Sequence, residues 1–199
     1  MGNKKTLTFD SERSGLVVRN TGSAYTVRTD DGQEVPCRVK GNFRIKGIRT
    51  TNPVAVGDHV RIAHAADDAD YIVAVEPRSN YIIRRASNLS KESHILATNL
   101  DTAFLVASLR DPVTPTTFID RFLATAEAYD IPGAIILNKC DIWDDDDHEL
   151  ADGIRHLYES IKYPVYTVSA QTGHGLDTLK TVLKDKVSLF AGNSGVGKS

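Results

Sequence analysis

The sequence has no long hydrophobic run. Its apolar stretches, such as Ala134-Ile135-Ile136-Leu137, fall far short of the roughly 20 residues that a membrane span needs. Met1-Gly2-Asn3-Lys4-Lys5 lacks the apolar core of a secretion signal, so no membrane partner is expected and a cytoplasmic location is. Cysteine is scarce as well: Cys37 and Cys140 stand apart with no CxxC pair, which points to neither a disulfide framework nor a zinc site, and reads as two buried or idle thiols. His94, His148, His156 and His174 show no metal-ligand spacing. The acidic run Asp144-Asp145-Asp146-Asp147 lacks the alternating ligands, glycine and distal glutamate of a calcium loop. It reads as the solvated, acidic start of a helix.

Strong net charge is absent too, but the formal value of −2 hides an asymmetry. Residues 1–90 hold 14 Lys+Arg against 10 Asp+Glu, a net of +4, and residues 91–199 hold 10 against 16, a net of −6. A split of this kind predicts two modules with different partners. We expect a first domain over 1–77, a linker over 78–92 and a second domain over 93–199.

In the first module, short β-rich runs at 16–19, 25–28, 35–39, 60–64 and 71–75 alternate with turn residues at Gly22, Gly32 and Gly57. Five strands in this span predict a small all-β barrel of the OB-fold kind, and strand counting alone leaves an SH3-like barrel open. Between the third and fourth runs, Arg38, Lys40, Arg44, Lys46 and Arg49 surround Phe43 with no acid among them. Two readings stand side by side there. One is an RNA-binding surface, with cations for phosphates and an aromatic for an unpaired base; the other is a solvated loop.

From about residue 93 the apolar period changes from two to 3.6. Strands are expected at 102–107, 133–137, 165–168 and 187–191. Between them lie three predicted helices. The first has Thr117 as N-cap and Ile119, Phe122, Leu123 and Ala126 on one face; the second buries Leu150, Ile154, Leu157 and Ile161; the third carries Leu176, Leu179 and Leu183. Strand–helix alternation predicts a parallel α/β sheet whose ligands sit at the carboxyl ends of the strands.

Three of those strand ends carry chemistry. After the last strand comes Gly192-Asn193-Ser194-Gly195-Val196-Gly197-Lys198-Ser199, the phosphate-loop pattern. Its glycines let backbone N–H groups turn inward on phosphate oxygens, Lys198 reaches the β- and γ-phosphates, and the Ser199 hydroxyl ligates magnesium. After the 133–137 strand comes Asn138-Lys139-Cys140-Asp141. Its carboxylate at Asp141 accepts both N1–H and the 2-amine of guanine, whereas adenine offers a lone pair at N1 and no amine. A site of this kind rejects the wrong base by ~10⁴-fold or more. Asn138 ties this loop to the phosphate loop and the base edge, and the Lys139 stem covers the base. After the 165–168 strand, Ser169 holds its turn while the Ala170 N–H faces guanine O6. Three specified residues arise by chance at about one position in 10⁴, and the strand-end placement makes coincidence less credible still. Trp143 is expected to be a packing anchor near enough to report on nucleotide.

Guanine-reading loops that precede the phosphate loop reverse the usual GTPase order. Circular permutation resolves this, because the termini of a compact domain lie close together. A basic OB-like barrel followed by Asn138-Lys139-Cys140-Asp141, Ser169-Ala170 and Gly192 to Ser199 resembles the circularly permuted GTPases of the RsgA (YjeQ, YloQ) family. The resemblance implies a monomeric GTPase that uses GTP/GDP and Mg²⁺ and binds the small ribosomal subunit late in its assembly, with the barrel on ribosomal RNA. Lys198 and Ser199 are its implied catalytic residues. Family members continue with a switch threonine, an Asp-x-x-Gly motif and a C-terminal domain that alone binds Zn²⁺. None of these is in this sequence, so the chain is expected to be an inactive piece of a GTP-hydrolysing parent. Rival readings are an RNA-docking module with nucleotide as a switch only, and an ATP-using phosphate-loop protein.

Overall fold

Inward and outward side chains alternate along the first three of five short strands, and pairing of the first strand with the fourth closes the five into a barrel. The structure, a computed structural model, describes residues 12–39, 53–85 and 93–198, the side chains of 84, 85, 93 and 94 lying outside the description. The strands are β1 (Arg13–Thr21), β2 (Ala24–Thr29), β3 (Glu34–Val39), β4 (His59–Ala65) and β5 (Ala69–Val75). They run in the order β1-β2-β3-β5-β4, closing between β4 and β1, with only β3 and β5 parallel. This is the OB-like barrel. Val17, Val27, Cys37, Val60, Ile62 and Ile72 fill its interior. β1 pairs with β4 over Arg13–Leu16 and with β2 over Gly15–Thr21, with an irregularity between Val17 and Arg19.

One buried ion pair pins the turn before β4. The Asp58 carboxylate, fully buried, receives Arg78 Nε and Nη2 at 2.7 Å each, the Thr98 hydroxyl at 2.8 Å and the Ala55 N–H at 2.8 Å. Every lone pair that burial strips of water is thereby answered. Gly57 makes the approach feasible: its φ is 92°, and a Cβ there would lie 2.1 Å from the Thr98 carbonyl oxygen. Thr98 closes a hairpin of β6 (Tyr81–Arg85) and β7 (Ser93–Thr98). The expected linker at 78–92 therefore supplies a strand, and the chain divides into units Met1–Asn99 and Leu100–Ser199. A two-stranded ribbon escaped notice because neither of its strands alternates cleanly.

Of the residues expected to meet RNA, Arg38 is exposed on β3. Lys40, Phe43, Arg44, Lys46 and Arg49 lie outside the described residues.

The second unit alternates β8 (Thr102–Ser108), α1 (Thr116–Ala128), β9 (Gly133–Asn138), α2 (Asp145–Ser160), β10 (Val165–Thr167), α3 (Leu176–Leu183) and β11 (Ser188–Ala191). All four strands are parallel, in the order β10-β9-β8-β11. Leu105, Ile135 and Leu137 face α1 and α2, while Phe104, Val106 and Ile136 face α3. With helices on both faces, strands read as continuous apolar runs. β11 was expected to be buried, yet among the described strands it pairs with β8 alone, and Phe190 is 39% exposed. No helix among the described residues is long and apolar enough to cross a membrane.

Two helix expectations need correction. The N-cap of α1 is Pro115 and not Thr117: Pro115 is extended at φ −64°, and its carbonyl already accepts from the Phe118 and Ile119 N–H groups. On α2 the buried stripe is Ala151, Ile154 and Tyr158, whereas Leu150, Leu157 and Ile161 are 51%, 53% and 56% exposed. Both stripes have helical spacing. Tyr158 wins because its ring fills the core while its hydroxyl donates to Asp120 Oδ1 at 2.7 Å. The acidic run does open α2, with Asp144 and Asp147 in a capping box, but Asp147 is buried and ion-paired to Arg110 instead of solvated.

Removing Arg78 leaves the buried Asp58 charge unpaired, so Arg78→Ala is expected to cost about 3–5 kcal/mol, measured by denaturant unfolding. Burial pushes the Cys37 thiol from its ordinary 9.0 up to about 12. The neutral thiol is therefore favoured in the fold, and its contribution is complete below about pH 9 and lost as pH rises toward 12. Unfolding curves across that range should fall less steeply with pH in Cys37→Ala than in the native chain.

Candidate functional site

The parallel sheet delivers three loops to one edge, because each leaves the carboxyl end of its strand. β9 ends at Asn138, whose side chain is almost wholly buried. Lys139 follows in the left-handed region at φ 68° and turns the chain into the 3₁₀ turn Cys140–Ile142, which holds Asp141. β10 leads to Ser169 and Ala170, and β11 to Gly192. Asn138, Lys139, Asp141, Ala170 and Gly197 line one cleft of about 420 Å³.

Asn138 is the strut of this edge. Its Nδ2 donates to the Val196 carbonyl at 2.9 Å, and its Oδ1 accepts from the Ala170 N–H at 3.0 Å. One side chain thus ties the phosphate-loop residues to the Ser-Ala turn. The expectation for Asn138 toward the phosphate loop has a direct counterpart here. The Ala170 N–H, expected to face a base, is already engaged with Asn138, so a ligand acceptor must share that hydrogen.

Ser169 is fully buried, and its hydroxyl donates to Asp141 Oδ1 while accepting from the Thr172 N–H at 3.0 Å. The serine orients the carboxylate and closes its own turn. Asp141 is exposed at the cleft, with Oδ2 available to a donor that enters. Burial, and then the neighbouring Asp141 charge, raise the Cys140 thiol above its ordinary range.

Glycine decides the shape of the loop at 192–198. At Gly192, φ is 149° and a Cβ would lie 2.3 Å from the Val106 carbonyl oxygen; at Gly197, φ is 87° and a Cβ would lie 2.4 Å from Asn138 Nδ2. Side chains at either position would push the loop off the sheet edge. Val196, between them, is fully buried under β8 and β9 and anchors the loop. Asn193 is half-buried and Ser194 and Gly195 are exposed. Lys198 spans the loop mouth, its ammonium donating to the Asn193 carbonyl at 2.7 Å. Ser199 lies outside the described residues. The cradle of inward glycines under a single cation fits a phosphate group. Among the described residues no group of three His, Cys, Asp or Glu is placed to hold a metal ion.

Sequence reasoning missed the loop after β8. Lys139 Nζ donates to the Asp111 carbonyl, Pro112 lies against Gly195, and Arg110 pairs with Asp144 and Asp147. The Asp147 backbone N–H, and then Arg110, hold the Asp144 carboxyl below the usual range. Position was the available signal: 109–115 follows a strand's carboxyl end, where ligands gather. Trp143 packs partly buried against the core, with its ring edge-on to His148 at 5.5 Å.

Comparison with known proteins bears on this edge. Family models described as the RsgA N-terminal domain and the RsgA GTPase match residues 14–72 and 75–199. A Bacteroides fragilis protein named small ribosomal subunit biogenesis GTPase RsgA is 57% identical over 93% of this chain and 60% of its own length. A Porphyromonas gingivalis protein of the same name is 57% identical over 93% of this chain and 59% of its own length. The chain thus spans about 60% of the length of these relatives. Among solved structures, YjeQ from Thermotoga maritima superposes with a TM-score of 0.76 at 33% identity, over 95% of this chain and 63% of that one. YloQ, described as a circularly permuted GTPase, gives 0.73 at 30% identity, over 94% and 62%.

Truncating the strut orphans a buried carbonyl and an amide at once. Asn138→Ala is expected to lower stability by about 1–3 kcal/mol and to speed hydrogen exchange at the Ala170 amide, both readable by unfolding and by exchange mass spectrometry.

Proposed function

The chain belongs to the RsgA GTPase family, and from that premise we propose that the cleft at the sheet edge binds a guanine nucleotide for a GTP-hydrolysing factor of small-subunit maturation. The observation that carries the proposal is the common cleft of Asp141, Ala170 and Gly197, three residues from separate strand ends braced by Asn138.

In this reading Asp141, held through one oxygen by Ser169, accepts from guanine N1–H and the 2-amine with the other. The Ala170 N–H shares its hydrogen with O6. The stem of Lys139, tethered to the Asp111 carbonyl, covers the base plane. Backbone N–H groups of 193–198 surround the phosphates, and Lys198 exchanges the Asn193 carbonyl for phosphate oxygens. Charge that develops on the transferred phosphoryl group is neutralised there. The Ser199 hydroxyl would hold a magnesium ion, which when bound would supply further positive charge there.

The barrel is the RNA-facing part of the proposal, with Arg38, Lys40, Phe43, Arg44, Lys46 and Arg49 against ribosomal RNA. The cluster of five cations with no acid between Arg38 and Arg49 supports it. Functionally we divide the chain as an RNA module over 1–77, a connecting segment over 78–92 and a nucleotide module over 93–199. The factor acts as a cytoplasmic monomer on the small subunit.

Titration with GDP and ADP, followed through Trp143 fluorescence, tests the reading. Binding of GDP is expected to exceed that of ADP by about 10³-fold or more, and Asp141→Asn is expected to erode that ratio at least tenfold. Equal affinity for the two nucleotides would sink the assignment.

A further inference from the structure

An apolar seam on α2 has no role in the nucleotide reading and does not depend on it. Leu150, Leu157 and Ile161 are each more than half exposed. At 100° per residue, positions 150, 157 and 161 fall within an arc of about 40° on a helix, a single straight line along it. The seam is not scattered surface hydrophobicity, because it runs into a groove of about 450 Å³ between α1 and α2. Leu123 and Tyr158 floor that groove, and Ala124 and Ile161 wall it. Gly153, one turn from Leu150 and Leu157 on the same helix, has nothing within 4 Å of where a Cβ would stand, so the α2 backbone is open to close approach there.

Charge around the seam selects what can lie on it. On α2, Asp146 and Glu149 lie on the outer flank of the seam, whereas Asp145, Asp152 and Glu159 stand on the opposite side of the helix and Asp147 is buried against Arg110. Asp120 and Glu127 rim the groove from α1, and no Lys or Arg lines it. Nucleic acid is disfavoured by its phosphates, and an anionic lipid surface by its headgroups. A second copy of the chain would set one acidic helix against another. What remains is an apolar stripe edged with cations.

We infer that the α1–α2 groove and the Leu150–Leu157–Ile161 seam dock a basic amphipathic helix of a partner protein. The partner's apolar residues at helical spacing fill the groove, and its Lys or Arg side chains meet Asp146 and Glu149 on the flank of the seam and Asp120 and Glu127 at the groove rim. The acidic second unit thereby takes a protein partner where the basic first unit is suited to RNA.

The test is fluorescence anisotropy with a labelled helical peptide of leucine and lysine, its leucines at i, i+3, i+4 and i+7. It is titrated with this chain and with the protein at its relatives' full length. Binding is expected, to weaken about tenfold in Leu157→Ser/Ile161→Ser and to be absent for the leucine–glutamate counterpart. Because both sites are exposed, thermal unfolding of the double variant should match that of the parent; if it does not, Leu150→Ser serves in its place. Lysine-peptide affinity unchanged by the variants overturns the proposal, since charge alone would then explain it. So does displacement of the peptide by duplex RNA, or self-association that the variants abolish. Binding by this chain but not by the longer one also overturns it, since another segment of the same protein would then occupy the seam.

Discussion

The amide of Asn138 holds together the strand-end edge at which the proposed nucleotide cleft lies. Its two polar ends face two different loops, and the geometry leaves each loop without another side chain to do the same. The Val196 carbonyl and Ala170 N–H lie 58 and 32 residues from Asn138 in sequence, so the bonds close long segments that packing alone would leave free to slide. Burial makes those bonds count, because a buried amide without partners costs on the order of 1–3 kcal/mol. Gly197 shows how tight the junction is: even a methyl group there would collide with the strut. An aspartate in place of Asn138 would accept from Ala170 but could not donate to Val196, which explains why this position calls for an amide.

The first unit depends on an analogous node. Asp58 and Arg78 lie buried together, with Thr98 and the Ala55 N–H completing the set. A buried ion pair adds little net stability over a well-packed apolar pair, but breaking one side is severe. Its value here is therefore positional: it fixes how the turn before β4 meets the connector and the end of β7. In both units a few buried polar contacts set the geometry, while the apolar clusters supply most of the cohesion.

Electrostatics separates the two units further. A basic barrel suits phosphate-rich partners, where cations gain by releasing counterions. The α/β unit concentrates carboxylates on α2, while Lys198 lies over the glycine loop, bonded to the Asn193 carbonyl.

Local periodicity and turn chemistry determined the barrel strands, the four parallel strands, the three helices and the loops that leave the strand ends. These follow from neighbours in the chain: β-rich runs between turns, i, i+3, i+4 spacing, and glycines that a phosphate loop requires. Local patterns could not choose between two apolar stripes on α2, since both have the same period. The choice fell to Tyr158, which fits the core and finds Asp120 across it. Nor could they foresee the β6–β7 hairpin, the Asp58–Arg78 pair or the Arg110–Asp111–Pro112 loop, each of which is defined by partners distant in sequence. The sequence by itself determined which chemical groups this protein possesses. Only the tertiary structure decided which of them share a cleft, because distances between strand ends are set by sheet order and register, which no single segment encodes.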